Sequence, residues 1–300
     1  MRLVTFDAGR GDRLGALLPG ERLLDLTSAV PGRETVSMLA LIAADTAALA
    51  RVRNAVARAE AGSAEHLTDA ARARLRPPIP RPPKNVICTG MNYRSHVEQD
   101  AIALGKPLVM PKAPPFFSKP VTAVIGPGDS IVRDRRLTEQ LDYEGELAVV
   151  IGRRGSWIGA HEAMDYVFGY TLGNDVSARD LQAQMTQFYY AKGLDTFCPL
   201  GPAIVDRDSM PSLDTVDVML SVNDEPRQQE SVGNLLFAIP NIIEHLSRGM
   251  TLEPGDIILT GTPGGCGYQM SPPRFLQPGD VVECSAESIG VLRNSVISAG

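Results

Sequence analysis

A proline-dense stretch at residues 77–83 constrains the fold of this chain more than any other part of its sequence. Five of these seven residues are proline. Proline lacks a backbone N–H and its ring blocks helix continuation, so the stretch must run extended. We interpret residues 76–84 as a linker between a small N-terminal domain, residues 1–75, and a larger domain, residues 85–300.

The pattern of the sequence changes across this linker. Before it, we predict short strands at 3–6 and 13–18 and helices at 37–56 and 68–75. After it, β-branched runs alternate with glycine and proline turns, which predicts strands at 85–89, 123–125, 147–151, 167–172, 203–205, 216–222, 256–259, 281–285 and 291–296. Helices are expected there at 161–166, 178–187 and 234–248. The pattern is typical of an α+β chain that is mainly β, with a mixed or antiparallel sheet folded over on itself.

Composition narrows the possible functions. The chain is 44% hydrophobic, which is ample for a core. Its net charge of -6 and pI near 5.3 give no basic surface for nucleic acid. No apolar run approaches the roughly 20 residues of a membrane span, and the N-terminus lacks the apolar core of a secretory signal. We therefore expect a cytoplasmic protein with neither nucleic acid nor membrane as a partner.

The four cysteines are far apart in the sequence, with no C-x-x-C pair: Cys88, Cys198, Cys266 and Cys284. This spacing argues against a zinc site and against a disulfide framework. We expect each thiol to be a small buried group in a reducing compartment.

An acidic alternation, Glu144-Gly145-Glu146, runs directly into the apolar segment 147–151. In a strand, residues two apart point to the same face, so both carboxylates would lie on one side. A cation between them would offset their repulsion. The alternative is that the two glutamates form the solvent-facing edge of an amphipathic strand, because charged residues are mostly exposed.

Three further segments carry polar groups among apolar and turn residues. Asp175 follows a predicted strand, and Ser177 is placed to cap the next helix, although Asp175 alone fits a turn or capping role equally well. Lys192 precedes a glycine in the second segment. Thr262 lies in the third, a Gly-Thr-Pro-Gly-Gly turn whose backbone can approach an anionic ligand.

Taken together, these motifs resemble those of the fumarylacetoacetate hydrolase superfamily over about residues 85 to 297. The matching motifs, in order, are Asn92-Tyr93 with His96, Phe117-Ser118-Lys119-Pro120, Gly126-Pro127-Gly128-Asp129, Glu144-Gly145-Glu146, Gly173 through Asp180, Asp195-Thr196-Phe197 and Gly261-Thr262-Pro263. The resemblance implies a rolled β-sandwich after a small α+β domain. It also implies a Mg²⁺ or Mn²⁺ ion held by Glu144, Glu146 and Asp175, an all-oxygen set that suits a hard cation.

The resemblance also implies roles for residues around that ion. Lys192 would lie beside metal and substrate as a catalytic residue, and the substrate-binding set would be Tyr93, Arg179, Gln182, Lys192 and Thr262. Two alternatives stay open. Arg179 also fits a helix-surface salt bridge with Asp180 or Asp175, and Lys192 also fits a solvated lysine.

In hydrolytic and decarboxylating relatives, a lid segment, here residues 92–99, carries a histidine and, three residues later, a glutamate that together act as the general base. Here His96 is in place, but the third residue onward is Gln99, and Glu98 comes one position early. We expect His96, Glu98 and Gln99 to be the catalytic candidates of this segment. Gln99 cannot accept a proton at neutral pH, which raises the case for chemistry that does not activate water.

Three functions are therefore carried forward for a small 2-oxo or enol carboxylate. The first is metal-dependent hydrolysis of a C–C bond in an acylpyruvate-like compound. The second is an isomerase, tautomerase or decarboxylase acting on a 2-oxo diacid, as in aromatic catabolism. The third is a non-catalytic 2-oxo acid binding protein. The resemblance further implies a homodimer.

Overall fold

The computed structural model describes residues 1–9, 11–20, 22–63 and 65–300. Its strands are β1 (Arg2–Asp7), β2 (Asp12–Leu18), β3 (Arg22–Asp25), β4 (Leu67–Asp69), β5 (Arg74–Leu75), β6 (Val86–Thr89), β7 (Phe116–Lys119), β8 (Val124–Ile125), β9 (Ile131–Arg133), β10 (Leu141–Asp142), β11 (Gly145–Ile151), β12 (Val167–Asn174), β13 (Ser177–Ala178), β14 (Cys198–Asp206), β15 (Asp217–Val222), β16 (Glu225–Ser231), β17 (Ile257–Leu259), β18 (Val281–Ala286) and β19 (Gly290–Ser298). The α-helices are α1 (Leu26–Ala29), α2 (Met38–Ile42), α3 (Thr46–Glu60), α4 (Arg94–Ala103), α5 (Arg179–Gln182), α6 (Tyr189–Lys192) and α7 (Ile239–Ser247). The predicted α+β class, mainly β, is confirmed.

The main sheet is mixed and runs through most of the chain. Its strand order is β4-β3-β2-β1-β14-β12-β11-β17-β6-β7, with β5 paired to β1 and β8 to β14. The β17/β6 and β14/β8 pairs are parallel, whereas the other pairs of this sheet are antiparallel. This order puts β11 between β12 and β17, so the strand that carries Glu146 lies well inside the sheet.

The N-terminal strands are continuous with this sheet. Strand β1 pairs with β14, with Arg2 opposite Val205 and Leu3 opposite Ile204. The proline-dense stretch has neither helix nor strand, as expected, but it packs against the sheet: Ile79 is buried, and Thr5 donates to the Pro78 carbonyl at 2.7 Å. The division at residues 76–84 stays a prediction about domains, and it does not divide the sheet.

A smaller sheet, of order β16-β15-β18-β19-β9, packs against the first. Every residue of β11 is buried, and its alternate residues enter different cores. Leu147, Val149 and Ile151 join the core that includes the smaller sheet, while Ala148 and Val150 face the core shared with the N-terminal strands. A strand buried on both faces explains why its sequence runs as a continuous apolar segment.

Several predicted helices are wrong in extent. The segment 37–56 is two helices, because Asp45 accepts from the Ala48 N–H at 2.8 Å and caps a new start. Residues 68–75 are not helical but contain β4, a 3₁₀ turn and β5, since pairing with β3 and β1 outweighs local helix propensity. The helices expected at 161–166, 178–187 and 234–248 shorten to a 3₁₀ turn at Ala163–Tyr166, α5 and α7.

None of the helices in the described ranges combines the length and apolar character needed to cross a lipid bilayer. The longest of them, α3, has 15 residues.

Candidate active site

An acidic triad, formed by Glu144, Glu146 and Asp175, lies where β11 begins and β12 ends. These strands are antiparallel with Gly145 opposite Asn174, so the residues flanking that pair are brought together. The Asp175 N–H donates to the Glu144 carbonyl at 2.8 Å, and the Glu144 N–H donates to Asn174 Oδ1 at 3.0 Å. One carboxylate oxygen from each triad member lies within 4.8 Å of the others.

Burial decides between the alternatives left open for the triad. Glu144 is 5% exposed, Glu146 1% and Asp175 0%. The two glutamates are therefore not a solvent-facing strand edge, and Asp175 is more than a surface turn residue. Ser177 does not cap a helix: it lies in β13, and its hydroxyl donates to the Asp175 carbonyl at 2.9 Å.

Two lysines and an arginine approach the acidic triad. Lys192 Nζ donates to Glu144 Oε2 at 2.9 Å and to Asp175 Oδ2 at 2.6 Å. Lys119 Nζ, fully buried at the end of β7, donates to Asp175 Oδ1. Arg179 Nη2 lies 2.6 Å from Glu144 Oε1. Lys192 is therefore buried rather than solvated, and Lys119 is a site residue to which the sequence interpretation gave no role.

Glu146 differs from the other two carboxylates. It accepts from the Gly261 N–H at 2.6 Å, but no cationic side chain of the described residues pairs with it. Burial, reinforced by Asp175 and Glu144, raises the pKa of Glu146 well above its usual range. Burial also disfavours the charged form of Glu144, yet Lys192 and Arg179 hold its pKa below its ordinary value. A cation bound beside Glu146 would therefore stabilise its charged form.

The charge count of the site agrees with this. With Glu146 in its ionised, ligand form, four buried carboxylates, those of the acidic triad and Asp142, face three cationic groups, so one negative charge is left over. A divalent ion would turn this into one net positive charge, which favours an anionic ligand. The all-oxygen donor set also fits a hard ion such as Mg²⁺ or Mn²⁺.

Arg179 lies at the start of α5 and is held from three sides. Its Nε donates to Asp142 Oδ2 at 2.9 Å, its Nη1 donates to Gln182 Oε1 at 3.0 Å, and its guanidinium stacks 4.2 Å from the centre of the Tyr268 ring. The surface salt bridge with Asp180 or Asp175 is not present. Asp180 instead accepts from Thr138 Oγ1.

Thr262 and Tyr93, both expected to bind substrate, are placed differently. Thr262 lines the cavity and donates to the Gly145 carbonyl at 3.0 Å, while accepting from Gln228 Nε2 at 2.8 Å. Tyr93 is fully buried, is absent from the cavity wall, and its hydroxyl has no hydrogen-bond partner in the described residues. We therefore do not retain Tyr93 as a substrate contact.

The lid segment continues into helix α4, which places its candidates on different faces. His96 lines the cavity, with Nε2 3.6 Å from Asp100 Oδ2. Glu98 has a side chain 45% exposed and an ion pair with Arg94 at 3.7 Å, so it points away from the cavity. Gln99 Oε1 accepts from the Gly265 N–H at 2.7 Å. Asp100 was missed, although its i,i+4 spacing from His96 places both on one helix face.

A cavity of about 710 Å³ opens over these groups. Its inner wall is polar and is lined by His96, Glu144, Glu146, Arg179, Gln182, Lys192 and Thr262. Its outer wall is largely apolar, with Met91, Leu104, Val109, Phe117, Met185 and Phe188. The arrangement suits a small anionic ligand bound at the polar end.

The family model described as fumarylacetoacetate (FAA) hydrolase C-terminal matches residues 85–297. This chain is a member of the fumarylacetoacetate hydrolase superfamily. The member named oxaloacetate tautomerase YisK, from Bacillus subtilis, is 41% identical over 295 residues and covers 94% of this chain and 95% of its own. The mitochondrial oxaloacetate tautomerase FAHD2A of Bos taurus is 43% identical over 222 residues, covering 73% of this chain and 68% of its own.

Solved superfamily structures agree with the fold. The fumarylacetoacetate hydrolase of Exiguobacterium antarcticum superposes with a TM-score of 0.79 at 39% identity, covering all of both chains. Maleylpyruvate hydrolase from Sphingobium sp. SYK-6, in complex with manganese(II) and pyruvate, superposes at 0.79 with 31% identity and the same coverage. The predicted superfamily is confirmed. Its members include hydrolases and tautomerases, so this chain is of an enzyme family with a candidate divalent-metal site.

Proposed function

We propose that this protein is a divalent-metal-dependent tautomerase that interconverts the keto and enol forms of a small 2-oxo dicarboxylate of the oxaloacetate class. One observation carries the proposal. Next to the buried acidic triad, helix α4 presents His96 with Asp100, whereas Gln99 accepts from Gly265 and cannot take up a proton. The site thus offers proton transfer without the glutamate that activates water in hydrolytic relatives.

The acidic triad would hold the Mg²⁺ or Mn²⁺ ion. Once bound, the ion would supply Lewis-acid stabilisation of the negative charge that develops on the substrate oxygens. Lys192 and Arg179 hold the pKa of Glu144 below its ordinary value, and Lys119 and Lys192 pair with Asp175, so the protein offsets the charge of both ligands.

The protein's own cationic groups would bind and orient the substrate. Arg179 and Lys192 line the cavity beside the acidic triad and offer donors to a carboxylate. The extra positive charge of the loaded site would favour a dianion. Gln182 holds Arg179 through Nη1, and Thr262 fixes the backbone of Gly145 between the two glutamates.

The reaction itself moves one proton. In the keto-to-enol direction, the C3–H bond breaks and its electron pair makes the C2–C3 double bond. The π pair of the C2 carbonyl moves to oxygen and forms the O–H bond. No water is consumed, and C–H is the one σ bond to carbon that breaks. His96 is the cavity residue we assign to carry this proton, because imidazole can both accept and return it.

The activity for which two relatives are named supports the same function. Both are named oxaloacetate tautomerases, and the Bacillus subtilis protein matches this chain nearly end to end. We extend that activity to this chain as a proposal. We likewise propose that the protein is cytoplasmic. We also propose that it is a homodimer, which light scattering of the purified protein would check.

The direct test follows the decay of enol absorbance of oxaloacetate. We expect catalysis above the spontaneous rate with Mn²⁺ or Mg²⁺, and none after chelation. His96→Gln should reduce kcat by about 10²-fold or more, in keeping with the usual contribution of general acid–base catalysis. No acceleration by the metal-loaded protein would contradict the proposal, and metal-dependent oxalate binding without turnover would favour the non-catalytic binding protein.

A second candidate function is hydrolysis of an acylpyruvate-like C–C bond. The observation that favours it is the cavity, whose volume of about 710 Å³ and apolar outer wall exceed the needs of a four-carbon diacid. Incubation in ¹⁸O-labelled water separates the reactions, since only hydrolysis places the label in a product carboxylate. Decarboxylation is recognised by pyruvate and CO₂ from oxaloacetate.

A further inference from the structure

We propose that Asp100 is the positioning carboxylate of His96, and that Tyr268 links this pair to Arg179. The inference rests on the proposed function only in giving His96 the proton-transfer role. Asp100 follows Gln99 on helix α4, and we assign it an orienting role towards His96, not the water-activating role of the glutamate in hydrolytic relatives. No substrate contact is assigned to Asp100.

The two oxygens of Asp100 have different partners. Oδ2 faces His96 Nε2 at 3.6 Å. Oδ1 accepts from Gln269 Nε2 at 2.6 Å and from the Tyr268 hydroxyl. With two donors on one oxygen, the carboxylate cannot rotate freely, so its other oxygen is kept towards the imidazole.

The orientation of the Gln269 amide follows from its backbone contacts. Its Oε1 accepts from the Gly265 and Cys266 N–H groups at 2.9 and 3.0 Å. Nε2 must then face the opposite way, where it lies 2.6 Å from Asp100 Oδ1 and 3.3 Å from both Nδ1 and the backbone carbonyl oxygen of His96. One amide hydrogen goes to Asp100 and the other can go to the His96 carbonyl, so Nδ1 need not be occupied. We assign the proton of the neutral ring to Nε2, towards Asp100, which leaves Nδ1 as the nitrogen that accepts the substrate proton.

The loop that carries these groups is itself fixed. The Gly267 and Tyr268 N–H groups donate to the Asp142 carboxylate at 2.8 and 3.1 Å. At Gly267 an added Cβ would lie 2.0 Å from the Arg274 carbonyl oxygen, so only glycine allows this approach. Asp142 also accepts from Arg179, and therefore one carboxylate positions both the loop and the guanidinium.

Tyr268 contacts both Arg179 and Asp100. Its ring stacks on the Arg179 guanidinium at 4.2 Å, while its hydroxyl donates to Asp100. Burial raises the pKa of Tyr268, so the phenol remains a donor across the working pH range. A substrate carboxylate that orders Arg179 would thereby order Asp100 and His96 through a single rigid side chain.

The first test is kinetic, on the full-length metal-loaded protein. Asp100→Asn keeps an acceptor for Tyr268 but turns an amide towards His96, which favours the wrong tautomer. We expect kcat to fall by about 10- to 100-fold, with KM changed by less than about twofold, as for other residues that orient a catalytic histidine. Tyr268→Phe keeps the ring on Arg179 and should lower kcat by about 3- to 10-fold through the lost hydroxyl contact alone.

The matched control is Tyr166→Phe, because Tyr166 also stacks on an arginine, Arg153, at 5.0 Å but lies outside the cavity wall. We expect it to leave kcat and KM unchanged. Thermal unfolding of each variant separates loss of fold from loss of positioning. Equal kcat values for Asp100→Asn, Tyr268→Phe and the wild type would overturn the proposal.

The second test does not depend on turnover. The ¹⁵N spectra of histidine-labelled protein report which ring nitrogen carries the proton, and His96→Gln assigns the His96 signals among the four histidines. We expect the Nε2–H form in the wild type and a mixed or reversed tautomer in Asp100→Asn. An unchanged tautomer in Asp100→Asn would contradict the inference, even if the protein is an active tautomerase. Inactivity of the wild type with the expected tautomers would instead count against the proposed function alone.

Discussion

The Glu146 carboxylate accepts a 2.6 Å hydrogen bond from the Gly261 N–H, and no side chain of the described residues donates to it. Gly261 has a φ of +105°, and a Cβ there would lie 2.7 Å from Asn92 Cβ, so only glycine brings its N–H to this carboxylate. Glu144 and Asp175, in contrast, each have ammonium partners. The acidic triad therefore contains two carboxylates neutralised by the protein and one left for an added ion.

The first prediction is that Glu146→Gln abolishes metal binding but leaves the metal-free fold intact. In the wild type, Mn²⁺ at 100 times its Kd should raise the free energy of unfolding by about 2.7 kcal/mol. Mn²⁺ should not raise the free energy of unfolding of the variant, because a neutral amide cannot replace the anionic ligand. Its metal-free Tm should stay within a few degrees of the wild type, since burial already favours a neutral group at this position.

Titration calorimetry with Mn²⁺ and thermal unfolding with and without chelator measure both effects. Glu287→Gln, an exposed glutamate, serves as the matched control and should bind Mn²⁺ like the wild type. Wild-type affinity in Glu146→Gln would show that the ion binds elsewhere.

The acidic triad shows how much of the site the sequence could predict. Glu144 and Glu146 lie two residues apart at a strand start, and that spacing alone indicated paired carboxylates. Asp175 came from the family resemblance, and the structure adds the physical reason, which is the antiparallel register with Gly145 opposite Asn174. Burial could not be read from the spacing, because it depends on cores packed against both faces of β11.

Contacts between distant segments were beyond the sequence interpretation. Lys119 reaches Asp175 from 56 residues away, and Tyr268 reaches Asp100 from 168 residues away. Neither residue has a local pattern that indicates its partner. The predicted extent of the helices was wrong for a similar reason. Residues 67–69 and 74–75 pair with other strands, although their local sequence favours a helix.

The second prediction concerns Glu98, which the sequence placed among the catalytic candidates. Its side chain is 45% exposed and pairs with Arg94, so it contributes nothing to the cavity. We expect Glu98→Gln to keep kcat/KM within about twofold of the wild type, as for surface substitutions in general. Steady-state tautomerase assays measure this. A loss of tenfold or more would place Glu98 back in the proton-transfer machinery.

The third prediction is an alkaline loss of stability caused by the buried thiols. Burial raises the pKa of Cys284 to about 12 from its usual 9.0. Above pH 9 the unfolded chain loses this proton while the folded chain keeps it, so the unfolded state binds fewer protons and stability falls as pH rises towards 12. One such thiol contributes a slope of about 1.4 kcal/mol per pH unit.

Denaturant unfolding between pH 8 and 11 measures this slope. In Cys284→Ala, the free energy of unfolding should fall less steeply with pH than in the wild type, by about the contribution of one thiol, whatever the absolute stability of the variant. An identical slope in variant and wild type would mean that Cys284 ionises equally in both states.

The fourth prediction is that Arg179→Lys, although it keeps the charge, weakens substrate binding. Arg179 donates to Asp142 and Gln182, pairs with Glu144 and stacks on Tyr268, and a single ammonium cannot reproduce this planar set of contacts. We expect KM for oxaloacetate to rise by about 10- to 100-fold. Arg153→Lys, where the arginine also stacks on a tyrosine but away from the cavity, should leave KM unchanged.

Arg179→Lys should also lower the free energy of unfolding by about 1–3 kcal/mol, because it leaves the buried carboxylate of Asp142 less well paired. A normal KM with reduced stability would make Arg179 a purely structural residue, whereas a raised KM at unchanged Mn²⁺ affinity would identify it as the anion-binding group of the site.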